Sequence, residues 1–301
     1  MQNNDIKKHS LSNPNASESA VRLYDYLFGI FGKKMLTAQQ ESVWTGSPDK
    51  ELKYIKETTG KLPAIRGLDF IDGDFDGVVL RAKGWHGKGG IVTICWHTGL
   101  YGGGYTECKE NVPDFDKLLT EGTDEHRAML QSWDKAAAAL AELRDSGIPV
   151  LWRSFHEFDG GWFWWEKGGK DNFIRLWRLM YNYFTREKGL DNLIWVLGYA
   201  DFVLEGWYPG NGYCDVIGSD TYNNSTHKAG WDGLKKLGTN KPLAFHECGN
   251  VPSVEDFERD GAFWLWFMIW HTEFIFKNDR ENLKRVYNSE KTVTLDRLPR
   301  L

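Results

Sequence analysis

The chain has no run of apolar residues long enough to cross a bilayer, no block of basic residues and no paired C-x-x-C spacing. The first absence removes any candidate membrane-spanning helix. The second, with a net charge of −5 and a pI near 5.9, removes the electrostatic reason to expect a nucleic acid or an anionic membrane as partner. A neutral or cationic ligand fits better. The third means that Cys95, Cys108, Cys214 and Cys248 are not expected to build a structural zinc site, and their spacing assigns no disulfide. The opening "MQNNDIKKHSLSNPNASES" also lacks the apolar core of a signal peptide. We therefore expect a soluble form from which a signal has been removed.

Tryptophan is plentiful: 15 in 301 residues. A core places so many indoles with difficulty, because each buried N–H wants a partner, so some are expected at the surface for a purpose. Four of them fall in "LWRSFHEFDGGWFWW", Leu151 to Trp165, together with an arginine, a histidine and two carboxylates. The segment begins like a buried strand and then follows neither the strand nor the helix period.

Short apolar runs closed by turn residues alternate with longer amphipathic stretches from Val21 onward, the rhythm of a parallel α/β sheet. The runs read as strands are Lys34 to Gln40, Pro63 to Phe70, Gly90 to His97, Ile148 to Glu157, Asn192 to Ala200, Cys214 to Tyr222, Lys241 to Gly249 and Phe263 to Trp270. Asp124 to Gly147, acidic at its start, Ala-rich in the middle and ending on Gly, reads as a helix, as does Asp171 to Gly189. In at least five of the runs polar residues gather at the C-terminal end: Trp96-His97, His156-Glu157, Asp220 to Tyr222, His246-Glu247 and Trp270-His271. An open sheet concentrates its chemistry at one switch point, whereas a (β/α)8 TIM barrel carries it at the C-terminal ends of many strands. The expectation is a single (β/α)8 domain over residues 1–301, with residues 1–18 as an N-terminal extension.

Glu157 and Glu247 each close an apolar strand and each follows a histidine, so the two carboxylates are candidates to face one another across the barrel mouth. Such a pair is the minimal equipment for glycoside hydrolysis, one to protonate the leaving oxygen and one to attack the anomeric carbon or activate water. A lone strand-end Glu is more often a solvated rim residue; two in matching His-Glu settings, one ahead of an aromatic run, favour the chemical reading. Strict alternation puts His156 opposite Glu157, and only a bulged or twisted strand end brings both to the cleft.

With these residues in view, "LWRSFHEFDGGWFWW", "VIGSDTY" and "PLAFHECGNVP" together resemble glycoside hydrolase family 26, over roughly Asn13 to Trp270. The family commonly has Pro where Ser154 stands, a departure away from the matching glutamates. The resemblance implies a (β/α)8 barrel and a retaining mechanism, with Glu157 as acid/base and Glu247 as nucleophile. It also implies that Tyr222 donates to Glu247, that His97 and His156 contact the reacting sugar, and that Trp162 and Trp270 form cleft walls. Arg153 is expected to point into the barrel, supporting a carboxylate or touching substrate. Trp164, Trp165, Trp195, Trp264 and Trp266 are expected in the core. The implied substrate is β-1,4-mannan, glucomannan or galactomannan, with β-1,3-xylan or mixed-linkage glucan as alternatives. The implied enzyme is a secreted or periplasmic monomer that needs no cofactor.

Two readings of other classes compete. One is a metal-dependent barrel hydrolase with His97, His156, Glu157, Asp220, His246 and Glu247 as ligands, although no H-x-H or H-E-x-x-H spacing supports it. The other is a non-catalytic carbohydrate-binding barrel. The glycine-rich His97 to Thr106 lacks a G-K-[ST] ending and is expected to be a mobile loop beside the cleft rather than a phosphate loop.

Overall fold

The computed structural model describes residues 10–301. Its strands are β1 (Met35–Gln40), β2 (Ile65–Asp69), β3 (Ile91–Cys95), β4 (Val150–Arg153), β5 (Leu193–Tyr199), β6 (Val216–Thr221), β7 (Leu243–Cys248), β8 (Trp266–Ile269) and β9 (Thr292–Val293). The first eight pair in sequence order, all parallel, and β1 closes the ring by pairing with both β8 and β2. This is the (β/α)8 barrel expected from the sequence.

Every residue of the eight barrel strands is buried, which is why they read as unbroken apolar runs. The period of two still sorts them. Leu36, Ala38, Leu151, Ile194, Val196, Val216, Ala244, Trp266 and Met268 share one cluster inside the barrel. Their sequence neighbours Val150, Trp152, Trp195, Leu197, Ile217, Phe245 and Phe267 belong to another, between the sheet and the outer helices. Helix Glu18–Ile30 buries Ala20, Leu23, Tyr24 and Leu27 against the inner cluster. The Tyr24 hydroxyl donates to the Asp215 carbonyl at 3.0 Å, so this helix plugs the N-terminal end of the barrel. Residues 1–9 of the expected extension lie outside the described residues. The rest runs along the same end: Leu11 joins the inner cluster and the Ser12 amide donates to Asp215 at 2.5 Å.

The helix expected over Asp124 to Gly147 runs Asp124–Asp145, with the Thr123 hydroxyl accepting from His126 N at its start and Gly147 at φ 71° in its exit. The next expected helix runs Gly169–Asn182 and continues as a wider turn over Tyr183–Glu187. Strand β9 has no signal in the sequence reading: it is two residues long. It pairs with Met35 and Leu36, the part of β1 that precedes its register with β2, and so covers a stretch that would otherwise be an open edge. All four cysteines are buried free thiols. Among the described residues no helix is long and apolar enough to cross a membrane.

Candidate active site

The strand expected to run through Glu157 ends at Arg153, and the reason lies in the backbone. Phe155 (φ 46°) and Glu157 (φ 52°) are both left-handed, a conformation costing about 1–3 kcal/mol for a non-glycine residue and found where surrounding structure enforces it. The chain returns to the sheet at once, since the Glu157 amide donates to the Gly198 carbonyl on β5 at 2.6 Å. Two reversals in three residues break the alternation. His156 and Glu157 therefore both reach Glu247: His156 Nε2 lies 4.0 Å from Glu247 Oε1, and carboxylate oxygens of Glu157, Asp220 and Glu247 lie within 4.8 Å of one another.

Arg153 supports this cluster from below. Its guanidinium donates to Glu247 Oε1 at 2.5 Å and to Asp220, and all three side chains are buried. Burial works against the arginine's charge, but Asp220 and Glu247 more than offset that and hold it protonated. Space for it comes from glycine. A Cβ on Gly198 would sit 3.1 Å from Arg153 Nε, and one on Gly218 would overlap the Ala244 carbonyl and His246 Nε2. His246 fills the barrel beneath the site, its ring against Trp266 and its Nε2 3.3 Å from the Leu197 carbonyl oxygen.

The two glutamates have different surroundings. The second oxygen of Glu247 accepts from the Tyr222 hydroxyl at 2.6 Å, so both its oxygens face donors. Glu157 accepts from the Trp162 indole N–H at 2.9 Å and shares a hydrogen bond with Asp220. Burial, and after it the charge of Glu247, pushes the Glu157 carboxyl up to about 7, against the opposing pull of Arg153. One carboxyl is thus proton-holding near neutrality while its neighbour is tied to a fixed cation and a hydroxyl. Burial also raises Asp220 well above the usual carboxylate range.

The histidines form a chain. Asp69 Oδ2 lies 2.5 Å from His97 Nδ1, and His97 Nε2 lies 3.0 Å from His156 Nε2. Burial disfavours charge on His97, yet Asp69 outweighs it and raises the pKa. His156 lies 4.0 Å from Glu247, yet burial, then Arg153, lowers its pKa and keeps it neutral.

Six of the eight residues singled out from sequence line one cleft of about 1090 Å³: His97, Glu157, Trp162, Tyr222, Glu247 and Trp270. Arg153 and His156 lie one layer lower, each about 1% exposed. Trp162 is 41% exposed, and its ring folds back over Gly160, where a Cβ would collide with it. Trp164, Trp165, Trp195, Trp264 and Trp266 are buried, and Trp164, Trp165 and Trp264 donate to the carbonyls of Thr98, His156 and Thr226. The glycine-rich segment flanks the cleft through His97 and Tyr105, and the Leu100 amide is tied to Asn111 at 2.7 Å. Sequence reasoning passed over Asp69 and Trp44. Asp69 closes β2 as the chosen residues close theirs, so the strand-end rule would have found it; Trp44 lies in a turn with no pattern around it.

Donor groups close enough for a cation occur twice among the described residues, Asp69/Cys95/His97 and Glu157/Asp220/Glu247. In the first, Asp69 is already paired with His97. In the second, Arg153 already supplies the positive charge, and neither His156 nor His246 joins the set. The six residues of the metal reading therefore do not converge on one point.

Fold and site define a class: a (β/α)8 barrel with a carboxylate cluster at the C-terminal strand ends, set in an aromatic-walled cleft. The chain belongs to glycosyl hydrolase family 26, whose pattern matches residues 12–297. It is 36% identical to a mannan endo-1,4-beta-mannosidase of Thermothelomyces thermophilus over 96% of this chain and 63% of that protein. It is 31% identical to a mannan endo-1,4-beta-mannosidase of Bacillus subtilis, over 81% of this chain and 75% of that one. Among solved structures, it is similar to a beta-mannanase from a symbiotic protist of the termite Reticulitermes speratus, complexed with gluco-manno-oligosaccharide. That match has a TM-score of 0.87 and 32% identity, covering 97% of this chain and 98% of the other. The chain spans 50–63% of the length of four of its curated relatives.

Proposed function

We propose that this protein is a retaining glycoside hydrolase that cuts β-1,4-mannosidic bonds within mannan, glucomannan or galactomannan. The observation that carries the reading is the pairing of Glu157 with Glu247, oxygens within 4.8 Å, one proton-holding and one held by Arg153 and Tyr222. Carboxylate oxygens this close support the ~5–5.5 Å spacing of retaining enzymes over the ~6.5–9.5 Å of inverting ones. In the first step Glu247 attacks the anomeric carbon, the glycosidic C–O bond breaks, and the Glu157 proton passes to the leaving oxygen. In the second, Glu157 takes a proton from water as its oxygen attacks the same carbon, releasing Glu247 as a carboxylate.

His97 and His156 bind the reacting sugar in this scheme, and Trp270 and Trp162 are cleft walls, Trp270 beside that sugar and Trp162 beside the acid on the leaving-group side. The named activities of the relatives support mannan over xylan or mixed-linkage glucan. A polymeric substrate supports a setting outside the cytoplasm.

Parallel digestion of unsubstituted β-1,4-mannan, β-1,3-xylan and lichenan tests the substrate: mannan is cut into oligosaccharides of mixed length, and cleavage of xylan or lichenan alone overturns the assignment. NMR of the anomer first released tests the mechanism. A β-anomer is expected, and an α-anomer removes Glu247 from the nucleophile's role.

A further inference from the structure

The cleft has an aromatic wall that neither the carboxylates nor Trp162 explains. Trp44, in the helical turn Val43–Thr45 after β1, is 56% exposed and lines the same cleft. Its ring meets His271 edge-on at 4.6 Å between centroids; His271 lies 5.4 Å from Trp270, and Trp270 lies 6.2 Å from His97. A continuous line of rings thus leads from the carboxylate cluster to the rim.

The outermost ring is held in place. Glu51 is fully buried, and it accepts from the Ser42 hydroxyl and from the Thr272 amide at 2.8 Å. Ser42 leads into the Trp44 turn and Thr272 follows His271, so one carboxylate ties together the loops that carry both rings. Thr272 is itself forced to φ 35°, an unfavourable conformation for a β-branched residue. A large apolar ring kept in water on a fixed base forgoes the free energy its burial would recover, and a sugar face laid on it recovers part of that.

The order of the strands gives the wall a direction. In the closed ring β8 and β1 lie across the mouth from β4. Trp162, after β4, is bonded to Glu157, which protonates the leaving group, so Trp162 marks the leaving-group side. The Trp44 wall then faces the sugars that stay attached to the reacting anomeric carbon. We propose that Trp44 is the platform of an outer sugar subsite on this glycone side, and that Glu51 is a positioning residue for the Trp44 and His271 loops. The assignment rests on the glycosidase reading of Glu157 and Glu247.

The test uses β-mannooligosaccharides that carry one chromogenic aryl leaving group, with the glycone lengthened from two to five mannose units. In the wild type kcat/KM rises until the outer subsite is filled. Trp44→Ala removes the last increment, about three- to tenfold, and Trp44→Phe keeps part of it; an unchanged length dependence overturns the platform. Glu51→Gln retains the increment, because its amide oxygen still accepts both bonds. Glu51→Ala loses it, and adding Trp44→Ala loses no more; additive losses overturn the positioning role. If Glu51→Ala does not fold, Ser42→Ala removes one tether and reads the same coupling. Calorimetric titration of mannohexaose into Glu157→Gln, with and without Trp44→Ala, reads the platform without turnover. Weaker binding with Trp44→Ala sustains the subsite even if the wild type cuts nothing, which separates its failure from that of the glycosidase reading; equal affinity overturns it.

Discussion

In the proposed reaction Glu157 carries the pH dependence. Its carboxyl, pushed up to about 7, must be protonated to act as the acid, so kcat/KM is expected to fall about tenfold per pH unit above 7. A pH–rate profile flat to pH 9 would remove Glu157 from that role. The same shift has a stability consequence of definite sign. A carboxyl with a folded pKa above its unfolded value binds more protons when folded, so stability is lost as pH rises from about 4.5 to about 7. Glu157→Gln removes that penalty. The variant is expected to lose about 10²–10⁴-fold in mannan hydrolysis yet to unfold at a higher temperature than the wild type at pH 8, with the gap closing at pH 4.5. Arg153 acts oppositely. Removing it as Arg153→Met leaves Asp220 and Glu247 buried without their cation, at a cost of about 3–5 kcal/mol. Because Arg153 also pulls the Glu157 pKa down, NMR titration of the variant should find that carboxyl titrating at higher pH.

Among the elements, β4 and its exit define the site more than any other. The strand contributes Arg153 as its last residue, and the two left-handed residues that follow bring His156 and Glu157 onto the cluster. The exit is pinned at two points: the Glu157 amide on the Gly198 carbonyl, and Asp159, whose carboxylate accepts from the Ala200 amide at 2.7 Å and the Leu204 amide at 3.1 Å. Strands β5 and β6 contribute space, through Gly198 and Gly218. These two glycines are not equivalent. A methyl at 218 meets backbone and a buried ring, whereas one at 198 meets atoms of the Arg153, His246 and His156 side chains at 3.1–3.4 Å. Gly218→Ala is therefore expected to lower unfolding free energy by about 1–3 kcal/mol, and Gly198→Ala by less, as read from urea midpoints at constant m. Equal effects would mean that the His246 layer yields as readily as the Arg153 fork.

At the scale of the whole molecule, the barrel was legible because both of its signals are local. A strand buried on two faces must be apolar along its length, and polar residues at the ends of several such strands mark the open end of a closed sheet. The strand ends therefore identified Glu157 and Glu247 as candidates from composition and position, whereas His97, Tyr222 and Trp270 needed the family resemblance as well. The β4 boundary was misplaced by four residues because nothing in "SFHEF" announces two left-handed residues; Phe and Glu adopt that conformation here only under the hold of β5 and the cluster. Asp69, Asp220 and Arg153 acquire their partners from strands far apart in sequence, and Glu51 accepts from Thr272, 221 residues away. By itself the sequence determined the α/β rhythm, the single barrel and the pair of strand-end glutamates, all set by the burial and period of short segments. Only the tertiary structure decided that burial pushes the Glu157 carboxyl up, that Arg153 lies beneath the cleft, and that Trp44 stands on its rim. Those properties depend on distances between side chains and on exclusion of water, and both arise when the sheet closes.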